Sequence, residues 1–126
     1  MLNILPLILG GTAGLMSRYY LSNYINSVSA PNFKLGTIAV NLIGSFIIGG
    51  IYAFMENRPI DTKVKDMLTS GFLGCFTTFS TFSLETMQYL SNSEYFKAIA
   101  YISISNVLGI ALAFTGYFLV KQIIKF

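Results

Sequence analysis

At 126 residues the chain has room for one domain, and 54% of it is hydrophobic against 10% charged, with a mean hydropathy of +0.65. Soluble domains carry about 25% charged residues, so the balance is that of an integral membrane protein, and the net charge of +3 gives no indication of nucleic acid. With no histidine and only Cys75, the sequence excludes an internal disulfide, histidine-based catalysis and most metal-ligand sets.

The first apolar segment runs from Asn3 to about Tyr24 (3–24), with Pro6 near its start, where the missing N–H costs little. Met1 to Leu9 lacks a basic leader and the apolar run continues to spanning length, so the segment is expected to remain as a helix. Gly10, Gly11 and Gly14 give it a small-residue face for close helix contact. Arg18 sits within about two turns of its end, placed to snorkel, to pair, or to face a water-filled vestibule and concentrate anions there. Ser22 to Phe33 is polar, contains Pro31 and reads as a loop. The second segment spans 34–55 and carries Asn41 near mid-membrane, where an amide needs a partner, either a neighbouring helix or a passing ion.

Glu56 to Asp66 is a solvated connector of mixed charge, and Asp61 or Thr62 is positioned to cap the third segment, 63–90. Inside that segment Gly71 to Ser83 carries two glycines, four phenylalanines and six hydroxyl or thiol side chains. Glycine weakens a helix by about 1 kcal/mol relative to alanine, so a break near the middle is expected at Gly71 and Gly74. Irregular backbone at membrane depth is tolerated only where protein buries it or where it lines a cavity. If the chain is helical beyond Gly74, Phe76, Phe79 and Phe82 form one ridge, with Thr78, Thr81 and Glu85 on a neighbouring face. Ring edges are positive and hydroxyls donate hydrogen bonds, so the two faces together can solvate an anion. The free carbonyls of a broken helix can hold a cation. A phenylalanine ridge also serves plain packing, and serine or threonine often bonds back to its own helix.

Ser91 to Tyr95 reads as a turn, and the fourth segment, 96–120, carries Tyr101, Ser103, Ser105 and Asn106 with Gly109 and Gly116. Ser105 and Asn106 extend the hydroxyl track or bond between helices. Lys121 and Lys125 close the chain at the interface. Five basic residues (Arg58, Lys63, Lys65, Lys121, Lys125) fall on the side of the termini against two (Lys34, Lys97) opposite, which favours cytoplasmic termini.

Gly71-Phe-x-Gly-x-Phe-Thr-Thr-Phe-Ser-Thr-Phe82 resembles the third-helix motif of the Fluc (CrcB-type) fluoride channels. Arg18-Tyr19 resembles the end of that family's first helix. Gly36-Thr37, Val40-Asn41 and Gly44-x-Phe46-x-x-Gly49 resemble its second, with Ile38 where leucine is usual. The resemblance implies an all-α membrane protein of four transmembrane helices, the third broken, paired as an antiparallel dual-topology dimer in the bacterial plasma membrane. It implies fluoride as the permeant ion, exported passively, with fluoride resistance as the outcome. Phe79 and Phe82 would form the aromatic lining, Asn41 a donor, and Ser80 and Thr81 the hydroxyl track, with Arg18 and Glu85 as further candidates on the pathway. Gly74 and Thr77 would offer backbone carbonyls to a structural sodium ion on the dimer axis. The dimer would be a homodimer, or a heterodimer with a paralogue of opposite orientation, and the charge bias keeps the second open.

Two readings of another class stand beside this one. A small proton-coupled exporter of organic cations needs a carboxylate in the middle of its first helix, and here that segment has Arg18 and no acid. A non-conducting assembly subunit would use the same glycines and polar residues only to knit helices together. The sequence shows no nucleophile–base pair, so no enzyme is expected.

Overall fold

The computed structural model describes residues 4–56 and 58–124, and the expected helix start at Asn3 and the tail residue Lys125 lie outside the described residues. Every regular element among the described residues is helical. Helix α1 is Ile4–Val28, α2 is Leu35–Glu56, α4 is Phe79–Ser91 and α5 is Tyr95–Ile124. Between α2 and α4 lies α3, built of an α-helical turn Thr62–Asp66, a π-helical stretch Met67–Leu73 and a last α-helical turn Gly74–Phe76. Asp61 caps it, its Oδ1 accepting from the Lys63 N–H at 2.7 Å.

Two helices, Leu35–Glu56 and Tyr95–Ile124, combine the length and apolarity needed to cross a membrane. Helix α1 has 25 residues, which at 1.5 Å per residue is about 37 Å, longer than a hydrocarbon core of about 30 Å. It outruns the expected end at Tyr24 because the polar residues there turn inward on the helix. Ser27 and Ser29 donate to the carbonyls of Tyr24 and Ile25, and Asn26 Oδ1 accepts the Gly36 N–H at 2.8 Å, tying the end of α1 to the start of α2. The polar segment 22–33 is therefore only in part a loop.

Helix α1 packs along α3, and α2 packs along the second half of α5. Both contacts are backbone-close. A side chain at Gly14 would run into the carbonyl of Phe72, and one at Gly49 into that of Ala113. Two buried clusters result, one of Val40, Leu73 and Phe76 and the other of Ile38, Tyr89, Ala98 and Tyr101. The outward surface is apolar, with Leu5, Leu9, Phe96, Ile99, Ile110 and Ile123 all exposed. A surface of that kind suits lipid or a second protein rather than water.

Both π-helical stretches have the same local chemistry. Widening the turn loosens the bond to the carbonyl four residues back, and a polar side chain takes that carbonyl: Thr69 Oγ1 donates to Lys65 O at 2.9 Å, and Asn106 Nδ2 to Ile102 O at 2.8 Å.

Candidate ion pathway

The helix break falls at Thr77 and Thr78, not at the glycines. Gly74 is helical (φ −60°, ψ −31°), whereas Thr77 (−86°, 157°) and Thr78 (−148°, 118°) are extended. Two β-branched residues suit extended backbone, and side-chain partners satisfy the backbone groups that the opening frees. Asn41 Oδ1 accepts the Thr78 N–H at 2.7 Å while its Nδ2 donates to Thr78 O at 3.0 Å. The Thr78 hydroxyl accepts the Thr81 N–H at 3.2 Å and so caps α4.

This break divides the expected ridge of three phenylalanines. Phe76 stays on α3, buried and stacked on Phe72 with centroids 5.6 Å apart. Phe79 and Phe82 begin α4, 5.5 Å apart and tilted by 39°, with Phe79 78% exposed. Phe82 stacks on Tyr101 of α5 at 5.4 Å and 14°. Two rings, rather than three, therefore share a wall.

A cavity of about 400 Å³ between α2, α3, α4 and α5 brings Asn41, Gly74, Thr77, Phe79 and Phe82 together with Ser105 and Asn106. Among the described residues the buried Ser105 hydroxyl has no hydrogen-bond partner. On the other side of the break a cavity of about 190 Å³ is lined by Arg18, Ser22, Thr37, Thr78 and Thr81. Thr78 lines both, so the extended break is the partition between them. Ser80 is exposed and lines neither cavity, its hydroxyl lying 3.3 Å from that of Thr78. Among the described residues Arg18 forms no ion pair, the pairs being Lys97 with Glu94 and Lys121 with Glu56.

Glu85 lies farther along α4 and is buried, where the Tyr101 hydroxyl donates to its Oε2. Sequence reasoning noted Tyr101 without giving it this role. It quoted Thr37, which is buried and lines the Arg18 cavity, without giving it a role, and it passed over Tyr89, whose hydroxyl accepts the Lys34 N–H at 2.9 Å. The usable signal was a polar atom in each apolar run, since such atoms need partners.

The residues present suit a monovalent cation at the end of α3. In a continuous helix the Gly74 carbonyl would accept from the Thr78 N–H, and that N–H goes instead to Asn41. Carbonyl oxygens at a helix C-terminus carry partial negative charge and favour a hard cation. Among the described residues no group of three His, Cys, Asp or Glu side chains gathers to hold a metal.

A model of the CrcB-like protein, Camphor Resistance (CrcB) family matches residues 5–117. The chain belongs to the CrcB family. Its relatives include proteins named fluoride-specific ion channel FluC. One from Leptospira interrogans serogroup Icterohaemorrhagiae serovar Lai (strain 56601) is 42% identical over 121 residues, covering 95% of each chain. Another from Gloeothece citriformis (strain PCC 7424) is 41% identical over 123 residues, covering 97% of this chain and 99% of the relative. CrcB membership covers both sides of the break and thus all the cavities described above.

Proposed function

We propose that this chain is a fluoride-selective channel of the plasma membrane that lets fluoride leave the cytoplasm passively, assembled as an antiparallel homodimer. The observation that carries the reading is the break at Thr77–Thr78. It brings an amide, hydroxyls and two phenylalanine rings to one pair of cavities in a protein otherwise apolar outside. The names of the relatives add fluoride as the ion.

Fluoride is small and strongly hydrated, so a selective route must replace its water with several donors at close range and exclude larger halides by width. Arg18 draws the anion into its cavity. Thr81 offers a hydroxyl donor there, and Ser80 another beside the break. Phe79 and Phe82 present ring edges. Asn41 keeps one amide N–H beyond the one given to Thr78, and that hydrogen is the donor proposed for the ion. Glu85 supplies a polar wall beyond Phe82.

A sodium ion held by the carbonyls of Gly74 and Thr77 from both subunits would neutralise the negative ends of the two broken helices. The chain's own part is to free the Gly74 carbonyl, which Asn41 does by taking the Thr78 N–H. The exporter reading lacks its first-helix carboxylate, and Glu85 is engaged with Tyr101.

The deciding experiment uses purified protein in liposomes loaded with potassium fluoride, with external fluoride followed by a selective electrode after valinomycin. Rapid efflux of fluoride but not chloride is expected. A folded dimer that passes neither would overturn the homomeric channel and favour a paralogous partner or an assembly role.

A further inference from the structure

Where the α1–α2 and α4–α5 connections meet, a cavity of about 190 Å³ opens, lined among others by Lys34, Glu85, Glu94 and Lys97. Of these four Glu85 is the buried one, and it is held by Tyr101. Lys34 is anchored through its backbone N–H to Tyr89 Oη at 2.9 Å. Lys97 Nζ donates to Glu94 Oε1 at 2.5 Å, and these two side chains are 34% and 36% exposed. Two lysines and two glutamates therefore line one opening, and the Glu94 carboxylate sits directly on the Lys97 ammonium.

We infer that this opening is a charge-balanced mouth of the pathway: Lys34 and Lys97 attract fluoride, and Glu94, a tethered anion seated on Lys97, offsets that attraction. This inference rests on the fluoride reading above. Counted at formal charges the mouth is neutral. Removing Glu94 makes it +1, and removing either lysine makes it −1. Charge at a narrow opening walled by low-dielectric protein changes the local concentration of a mobile ion and hence its entry rate. The effect is screened within about 10 Å at 0.1 M salt and about 3 Å at 1 M. A partly exposed, local pair such as Glu94–Lys97 adds little to stability, so its members can be changed without loss of the fold.

The test is fluoride efflux from liposomes bearing Lys34→Gln, Lys97→Gln, Glu94→Gln or Lys97→Arg protein, at ionic strengths of about 10 mM and about 1 M set with impermeant ions. At low ionic strength the two Lys→Gln variants are expected to slow efflux roughly two- to fivefold and Glu94→Gln to speed it by a similar factor. Lys97→Arg keeps the charge and should match the parent protein, which controls for changes in shape. At high ionic strength all four rates should converge. Rates that ignore the sign of the charge, or differences that persist at high ionic strength, would overturn the proposal while leaving a conducting channel. A parent protein silent toward fluoride would instead overturn the homomeric channel reading on which this mouth rests.

Discussion

The side-chain amide of Asn41 takes both backbone groups of Thr78, accepting its N–H at 2.7 Å and donating to its carbonyl at 3.0 Å. The two residues are 37 positions apart and on different helices. One amide thus replaces, at the break, bonds that a continuous helix would have made for itself.

Replacing Asn41 with alanine leaves two peptide groups of a buried residue without partners. The expected loss is about 2–4 kcal/mol of stability, read as a clear fall in the unfolding temperature of the protein in detergent. Ser80→Ala, at an exposed position, is expected to stay within about 0.5 kcal/mol of the parent. If the two variants melted together, the Asn41 bonds would not be holding the break.

The glycines separate in the same measurement. At Gly49 an added methyl meets the backbone of Ala113, which cannot rotate away, so Gly49→Ala should destabilise the α2–α5 contact by about 1–3 kcal/mol. At Gly74 the nearest atom to such a methyl is Thr69 O at 3.7 Å, an ordinary contact. Gly74→Ala should therefore fold as well as the parent, or gain up to about 1 kcal/mol from helix propensity. A loss on Gly74→Ala confined to the dimer fraction in size-exclusion chromatography would place that residue at the subunit contact.

Phe79→Ile and Phe82→Ile should both abolish fluoride efflux, yet they should differ in stability. Phe79 is largely exposed in the subunit, while Phe82 loses its stack on Tyr101, a contact contributing about 0.5–1.5 kcal/mol. Efflux surviving both changes unaltered would sink the aromatic-lining role.

Tyr101→Phe keeps the ring and removes the hydroxyl that serves Glu85. Leaving that buried carboxylate unserved should cost about 1–3 kcal/mol. The double variant with Glu85→Gln should cost less than the sum of the single changes, as expected for two groups in direct contact. Strict additivity in thermal unfolding would argue against the bond.

Much of the candidate site's inventory was legible in the chain. Arg18, Asn41, Thr81 and Glu85 stand out because each is a polar group in an apolar run, and Asp61 is a cap by position alone. The motif around Gly71 to Phe82 marked the segment that opens. The opening was expected at Gly71 and Gly74, and local propensity favours that choice because glycine is the weakest helix former there.

The sequence by itself determined that the chain is apolar, helical and carries an irregular, hydroxyl-rich segment, because composition and helical spacing are local properties. Only the tertiary structure decided where the irregularity falls. Gly71 and Gly74 remain helical, with Gly71 close against the backbone of α1, whereas Thr77 and Thr78 open because Asn41 arrives from another helix to satisfy them. The same holds for the fate of the phenylalanines and for the partner of Glu85. Each depends on a polar atom brought from a distant part of the chain, and a buried peptide group or carboxylate goes where its hydrogen bonds can be made.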